Sequence, residues 1–175
     1  MAKKSVSETE FFKNFAAGNS VSSPEIIKKF YESFARNDVD GMISCYHADI
    51  EFDDPVFGTL KGVDAKNMWR MLIENGKGEI KINYKNVTAG TKRGAADWIA
   101  EYVFSKTGRK VINKIHAEFE FADGKIIRHV DDFNVWKWSR QALGISGLLL
   151  GWTPFMKNKI RQNAISALRK YGDTK

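Results

Sequence analysis

The sequence predicts an α+β domain in which a cone-shaped, strongly curved antiparallel sheet wraps around N-terminal helices. Two observations lead to this fold class: apolar residues recur at helical spacing in the first third of the chain, and alternating strand-like segments then follow one another. Helices that pack on one face of such a sheet form an α+β domain, and strong sheet twist leaves a conical internal pocket. The composition, 43% hydrophobic and 13% aromatic, is sufficient for a packed core.

The chain divides into three parts, although its 175 residues have the length of one ordinary domain. Residues 1–23 are predicted to form a helical appendage, since several Phe side chains share one side of a short helical segment. Residues 24–136 form the α+β domain. Residues 137–175 form a helical extension, interrupted by glycines, that packs on the same domain.

Three helices are predicted before the main run of strands. The first begins at Ser23-Pro24, because Ser can cap a helix and Pro suits the first helical position. Its apolar side carries Ile27, Phe30, Tyr31 and Phe34. A second, short helix opens at Asp40-Gly41 and carries Met42, Cys45 and Tyr46. A third spans about 63–75.

Five strands are predicted from alternation. Residues 50–54 form a short strand that Pro55 ends. Four consecutive segments follow, at 79–90, 94–106, 110–121 and 125–136, and Asp123-Gly124 provides the hairpin turn before the last one. The residues predicted to face inward on the last three are Trp98, Ala100, Tyr102, Phe104, Val111, Asn113, Ile115, Ala117, Phe119, Phe121, Ile127, His129, Asp131 and Phe133.

The charge and cysteine content limit the possible partners and compartments. The net charge is +7, but basic and acidic residues are mixed as far as Asp132, and no nucleic-acid-binding motif is present. We therefore expect no nucleic-acid partner, and we interpret the basic residues from Lys157 to Lys170 as a solvated helix face. A single Cys45 excludes an intrachain disulfide, and no continuous apolar segment precedes the domain. We expect a soluble, cytoplasmic protein.

Metal and cofactor motifs are not found in the sequence. One Cys and three scattered His do not form a metal-ligand set. Neither a Gly-rich phosphate loop nor a Ser nucleophile motif is present. The sequence therefore predicts a site that needs no metal and no cofactor.

Two stretches of the chain resemble a known family. The first runs from Phe30 to Pro55 and includes Asn37-Asp38-Val39-Asp40-Gly41-Met42 and Phe52-Asp53-Asp54-Pro55-Val56. The second includes Gly108-Arg109-Lys110, Phe119-Glu120-Phe121 and Gly124-Lys125-Ile126. Both resemble the ketosteroid isomerases and SnoaL-type polyketide cyclases of the nuclear-transport-factor-2-like superfamily, over roughly residues 24–136. The tail, with Trp136–Gly144 and Gly151-Trp152-Thr153-Pro154, is outside the isomerase pattern.

The resemblance implies a general base at Asp54, which occupies the position of the Asp in the isomerases' acidic-Asp-Pro step. It does not imply their oxyanion hole, which consists of a Tyr and a protonated Asp. The Tyr position aligns with Phe30, and the Asp position aligns with Ala117, while alternation places His116 on the outer face. Isomerisation of 3-oxosteroids is therefore not expected.

The candidate site combines this position with the polar residues that alternation turns inward. We predict Asp54, His129 and Asp131 as catalytic. The predicted ligand-binding residues are Phe30, Trp69, Tyr84, Trp98, Tyr102, Asn113, Phe119 and Phe133. Because a two-residue step along a strand covers ~6.6 Å, His129 and Asp131 are expected to meet at a ligand rather than bond each other. Two alternatives stay open: Asp54 accepts backbone N–H groups in a turn, and His129 with Asp131 forms an inert core pair.

These residues support several functional hypotheses. The first is a cofactor-free isomerase or cyclase that acts on a small hydrophobic carbonyl compound by carboxylate acid/base proton transfer. The alternative is a non-catalytic binder or carrier of a small apolar ligand. An epoxide hydrolase ranks below both, because the Asp–Arg–Asp set of limonene-epoxide hydrolases needs an inward Arg, and Arg128 is predicted to face outward. Nothing in the loops favours a protein-interaction module.

Two surfaces are predicted to have partners. On the outer sheet face, Ile99, Val103, Ile112 and Val130 form an apolar strip rimmed by charge, which predicts a homodimer unless the tail covers it. The segment Gly147–Trp152 is too apolar to lie free in water. We expect it to close the pocket as a lid; contact with a membrane surface is the second interpretation, and a partner subunit the third.

Overall fold

The computed structural model describes residues 23–174, so all but the last residue of the predicted appendage lies outside the described residues. The helices are α1 (Ser23–Ala35), α2 (Val39–Ser44), α3 (Gly62–Gly76), α4 (Val135–Leu143), α5 (Ile145–Leu150) and α6 (Pro154–Gly172). The strands are β1 (Tyr46–Asp54), β2 (Gly58–Lys61), β3 (Lys81–Ala89), β4 (Arg93–Phe104), β5 (Arg109–Ala122) and β6 (Lys125–Asp132).

The six strands form one curved, unclosed sheet in the order β2-β1-β6-β5-β4-β3, with helices on its concave face, and this confirms the predicted α+β class. Every neighbouring pair is antiparallel except β1 and β6, which run parallel. The exception arises because β6 returns to the middle of the sheet, beside β1, after the β3–β5 meander. The four-residue strand β2 was not predicted.

Two predicted element boundaries are wrong at the ends of β1 and β6. Tyr46 begins β1 rather than ending a helix, and His47 also lies in that strand, within 3.7 Å of Asp123. The last strand ends at Asp132 rather than near 136. It ends there because Asn134 caps α4 by accepting a hydrogen bond from the Lys137 backbone N–H at 2.9 Å.

A bulge changes which Ile of β6 faces the core. Glu120 pairs with Arg128, but the next residue, Phe121, pairs with Ile126, so Ile127 is the extra residue. Ile126 is consequently fully buried, whereas Ile127 is only half-buried. The prediction that Ile127 faces inward was wrong, because strict alternation cannot register a bulge. Alternation holds again from His129 onward.

The C-terminal helices are fixed to the free edge of β5, which extends beyond β6. The Gln141 side chain of α4 accepts a hydrogen bond from the Ile112 N–H at 2.8 Å and donates one to its carbonyl at 3.1 Å. The side chains of Thr107 and Arg109 donate to the carbonyls of Ala142 and Gln141. Gln141 therefore replaces a neighbouring strand at this edge. Farther along, Leu168 of α6 is buried in the main core cluster.

Helix α5 packs against α4 through glycines. Gly147 and Gly151 are buried, and a β-carbon at either position would collide with Ser139 of α4. Close approach of the two helices therefore requires glycine on the inner side of α5. The large apolar residues of α5 consequently point away from α4.

We expect Gly147→Ala to destabilise the protein by about 1–3 kcal/mol, since the added methyl overlaps the Ser139 carbonyl and the helices must separate. Chemical denaturation measures the change in the free energy of unfolding. Gly172→Ala is the matched control, because its β-carbon would meet nothing nearer than an Asn67 side-chain atom at 3.8 Å. Equal stability of the two variants would contradict the packing described.

The outer apolar strip stays uncovered within the described residues. Val103 and Ile112 are 49% and 41% exposed, and Ile99 and Val130 are half-buried. Helix α4 reaches the edge of β5 near Ile112 without covering this strip. Dimerisation through the outer face stays a prediction.

Candidate functional site

The deep end of the concave face holds a chain of hydrogen-bonded polar side chains. Trp69 Nε1 donates to Tyr46 Oη at 2.8 Å, and Tyr46 Oη lies 2.7 Å from His129 Nδ1. His129 Nε2 lies 3.1 Å from Asp131 Oδ1, which also accepts the Trp98 Nε1–H at 3.0 Å. Every member is buried, so these hydrogen bonds link three strands, β1, β4 and β6, and helix α3 inside the core.

The donor groups in this series of hydrogen bonds determine the direction in which each bond is donated. The Trp69 indole can only donate, so Tyr46 accepts from it and donates its own O–H to His129 Nδ1. Nδ1 is then an acceptor, and a neutral His129 carries its proton on Nε2, which it donates to Asp131. Burial raises the pKa of Tyr46 well above its ordinary value, so its hydroxyl keeps that proton at neutral pH. All donors therefore point toward the Asp131 carboxylate.

The expectation that His129 and Asp131 do not bond each other was wrong. The imidazole reaches back along its own strand, so the 3.1 Å side-chain contact forms despite the two-residue spacing. Five aromatic rings also surround the imidazole. The Phe119 ring centroid lies 4.5 Å from that of His129, and the other four rings belong to Phe30, Tyr46, Phe52 and Trp69. His129 has no exposed surface, whereas Asp131 retains 4%. This geometry favours the core-pair alternative for His129.

Asp54 lies at the end of β1, where the chain turns into β2. Its Oδ1 accepts the backbone N–H groups of Val56 at 2.9 Å and Phe57 at 2.5 Å, which closes the turn at Pro55. The alternative that Asp54 accepts backbone N–H groups in a turn is therefore correct for Oδ1. The other oxygen, Oδ2, has no hydrogen-bond partner among the described residues. The side chain is only half-buried.

Burial raises the pKa of Asp54 from 3.8 to about 7. The two backbone N–H bonds act in the opposite direction, and the negative charge of Asp131 raises the pKa further. The Asp131 effect follows from strand register: β1 pairs with β6 up to Asp53 and Val130, so Asp54 and Asp131 come next on neighbouring strands. The Asp131 charge therefore adds to burial in disfavouring the ionised form of Asp54.

The raised pKa of Asp54 has a consequence for stability. Between pH 3.8 and about 7 the folded protein keeps a proton that the unfolded chain releases. The free energy of unfolding is therefore lowered as pH rises through this window, by at most about 4 kcal/mol. Asp54→Asn should remove this decrease, since a neutral amide oxygen can still accept both backbone N–H groups. Urea denaturation at about pH 5 and about pH 8 measures it.

The control for this experiment is Asp53→Asn. Asp53 precedes Asp54 but accepts a hydrogen bond from Thr59, and its pairing partner is Val130. The Asp53 charge is the smallest of the contributions to the Asp54 pKa, so this variant should keep most of the pH dependence of the wild type. An identical pH dependence in Asp54→Asn and wild type would contradict the raised pKa.

Tyr102 lies near Asp54 at the open end of the sheet. Its hydroxyl accepts the Trp138 Nε1–H at 2.8 Å and donates to no acceptor within the described residues. Burial raises the pKa of Tyr102, and the Asp54 charge raises it further, so the hydroxyl remains a proton donor. Asn113, two residues from buried Val111 and Ile115 on β5, and Phe133, after β6, are half-buried here. This region thus brings together the Asp54 carboxyl and the Tyr102 hydroxyl.

The remaining predicted ligand-binding residues are distributed differently. Phe30, Trp69, Trp98 and Phe119 are buried around the His129–Asp131 pair. Tyr84 lies apart on β3, where its ring stacks on Tyr31 at 5.2 Å and its hydroxyl reaches Glu32 at 3.4 Å. Phe119 also borders a groove of about 570 Å³ between β3, β4, β5 and β6, which contains none of the three predicted catalytic residues.

Three residues of this region were not predicted as site residues. Tyr46 was assigned to a helix, although Tyr46, Ile50, Phe52 and Asp54 have the same parity and could have extended the strand backward. Tyr31 is fully buried, and its hydroxyl has no hydrogen-bond partner in the described part of the chain. Trp138 belongs to the tail, and no local pattern indicates that it meets Tyr102. Within residues 23–174 no cluster of potential metal ligands was found.

Comparisons of structure relate this fold to several solved proteins. TerC, co-crystallised with polyporic acid, superposes with a TM-score of 0.60 at 20% identity, covering 70% of this chain and all of TerC. The LEH-like epoxide hydrolase of M. tuberculosis gives 0.53 at 17% identity, covering 71% and 92%. SalBIII, an epoxide hydrolase/cyclase-like enzyme with a role in pyran ring formation in salinomycin, gives 0.55 at 19%, covering 63% and 88%. At these identities the likeness establishes the fold alone.

Sequence comparison is more specific about the family. No curated protein matches the chain in sequence. The family model of the SnoaL-like domain matches residues 27–129, which is more than half of the chain and includes most of α1, strands β1 to β5 and His129. The chain therefore belongs to the SnoaL-like domain family.

Proposed function

We propose that this protein is a cofactor-free isomerase or cyclase that moves a proton on a small hydrophobic carbonyl compound, with Asp54 as the acid/base group. The observation that carries the proposal is the state of Asp54: half-buried, with a pKa of about 7 and one oxygen that the turn does not use. A carboxyl group that titrates near neutral pH can both accept and return a proton during turnover.

The chemistry assigns a role to each group at the open end. Asp54 in its carboxylate form removes a proton from the carbon next to the substrate carbonyl, leaving the bond electrons in an enolate. The Tyr102 hydroxyl, held by Trp138, donates a hydrogen bond to the enolate oxygen. Asp54 then returns the proton to a different carbon. In the cyclase case the enolate carbon attacks a second carbonyl of the same molecule, the C=O π electrons become an alkoxide, and Asp54 gives its proton to that alkoxide. Asn113 and Phe133 contact the substrate.

The buried chain of side chains supports this role without touching the substrate. His129 and Trp98 donate to the same oxygen of Asp131, which keeps a negative charge beside Asp54. That charge helps to hold the Asp54 pKa near 7. In this proposal His129 is a positioning residue, and Asp131 acts through Asp54.

The proposal is tested by solvent exchange. Purified protein in D₂O is incubated with a panel of small enolisable ketones and polyketide-like diketones, and deuterium incorporation at carbon is followed by NMR. We expect incorporation that increases with pH through about 7, as Asp54 ionises. Absence of enzyme-dependent exchange across the panel would contradict the proposal.

A non-catalytic binder is the second candidate, favoured by the complete mutual satisfaction of the His129–Asp131 chain. A binder needs no titrating group, so Asp54→Asn would keep its affinity for a co-purified apolar ligand. Native mass spectrometry of the wild type and this variant distinguishes the two. Retained ligand with no exchange activity would favour the binder.

A further inference from the structure

The α5 region presents an exposed apolar surface. We define the apolar tip as the side chains of Ile145, Leu148, Leu149, Leu150, Trp152 and Phe155, which are between 44% and 76% exposed. The lid interpretation of this segment was wrong for these side chains, because α5 turns its glycines toward Ser139 and its leucines toward solvent. A contiguous group of exposed apolar side chains of this size, on one short helix and the turn after it, indicates a contact site.

The segment that carries the apolar tip contains only basic charged residues. Residues 133–172 contain seven basic residues and no Asp or Glu, whereas the other 21 of the 28 Lys and Arg are balanced by the 21 acids. The net charge of +7 is therefore carried by this tail. Lys137, Arg140, Lys157 and Lys159 flank the tip and are exposed, and none forms an ion pair with a described residue.

One basic residue, Arg140, is linked to the tip through Trp136. The Arg140 guanidinium lies 5.0 Å from the centre of the Trp136 ring, and Trp136 Nε1 donates to the Leu148 carbonyl at 3.2 Å. On the other side, Phe155 lies in the first turn of α6, and the same helix carries Lys157 and Lys159. Basic residues thus adjoin the apolar tip on both sides along the chain.

We propose that the apolar tip is a docking site for an anionic lipid bilayer surface. The leucines and aromatic rings enter the headgroup–acyl boundary, and the flanking Lys and Arg bind anionic headgroups. The tip does not cross the bilayer, and no described helix is long and apolar enough to span one. An uncompensated basic rim opposes association with a second copy, which would bring like charges together. The proposal does not depend on the proposed catalytic function.

Vesicle flotation of the full chain tests the proposal. With vesicles of equal parts phosphatidylcholine and phosphatidylserine, wild type should float, whereas Leu149→Ser/Trp152→Ser should partition about tenfold less. Val63→Ser removes an equally exposed apolar side chain from α3, at 65% exposure, and should partition as wild type does. Wild-type flotation that fails, or that the double variant retains, would overturn the proposal.

The electrostatic contribution is tested separately. Lys157→Gln/Lys159→Gln should lower partitioning into anionic vesicles about tenfold, with a smaller effect on pure phosphatidylcholine. Lys28→Gln/Lys81→Gln removes the same charge from α1 and β3 and should have little effect. Equal losses in the two charge variants would overturn the assignment of the site to the tail.

Trp152 reports which partner covers the tip. Without vesicles its fluorescence, taken as the difference between wild type and Trp152→Phe, should be quenched by acrylamide. With vesicles, lipids brominated near the headgroup should quench it. Protection from acrylamide in the absence of vesicles would show that a second copy or another segment of this chain occupies the tip, and would overturn the membrane proposal.

Discussion

Asp131→Ala is expected to destabilise the domain by about 3–5 kcal/mol, which is the largest stability loss anticipated for a single substitution here. Asp131 Oδ1 is the acceptor for both His129 Nε2–H and Trp98 Nε1–H. Both donors are buried, with His129 fully enclosed and Trp98 7% exposed. Removing the acceptor leaves two buried N–H groups without partners, and each costs about 1–3 kcal/mol.

Two further variants separate this hydrogen bonding from general damage to β6. Asp131→Asn keeps an acceptor oxygen and should recover much of the lost stability. Asp132→Ala, an exposed neighbour on the same strand, should change the free energy of unfolding by about 0.5 kcal/mol or less. Chemical denaturation measures all three variants. Similar small losses for Asp131→Ala and Asp132→Ala would mean that the polar chain does not hold the core together.

Asp54→Asn is expected to lower exchange activity by about 10²–10⁴-fold, the usual contribution of a general base. The amide keeps the oxygen that accepts the Val56 and Phe57 N–H groups, so the turn should survive. The residual exchange rate of the variant should no longer increase with pH through about 7, because the titrating carboxyl group is absent. Kinetics of deuterium incorporation across this pH range provide the measurement.

Two control variants test whether the effect is specific to Asp54 and whether Tyr102 acts separately from it. Asp53→Asn should retain activity, since its carboxylate bonds Thr59 instead. Tyr102→Phe should reduce the rate while leaving the pH dependence in place, because it removes the hydrogen-bond donor and not the base. Full activity in Asp54→Asn would exclude Asp54 as the acid/base group.

The sequence predicted the architecture well because the strands of this domain are long and alternate strictly. On β4 and β5, Trp98, Ala117 and Phe119 face inward as predicted, and His116 faces outward, bonded to Asp97. Arg128 likewise lies on the outer face, near Glu51 and Glu120. Local pattern was insufficient where the sheet departs from regularity: at the bulge of β6, in the four-residue β2 and in the parallel β1–β6 pair.

The sequence predicted which residues of the candidate site face inward, but not which hydrogen bonds they form. Alternation identified Asp54, Tyr102, His129 and Asp131 as inward-facing, yet it cannot show which polar atoms satisfy one another. Tyr46 and Trp138 decide that question, and both come from segments distant in sequence. The tail is similar: the apolar run was evident, but only the contact of Gly147 with Ser139 shows that its leucines point outward.

The ionisation of Asp54 is the most direct test of the account. The carboxyl carbon of Asp54 can be followed by ¹³C NMR during a pH titration, with Asp54→Asn providing the assignment. We expect a pKa of about 7 for this group, because burial and the neighbouring Asp131 charge disfavour its ionised form. A pKa near the ordinary value of 3.8 would contradict the proposal that Asp54 exchanges protons with a substrate at neutral pH.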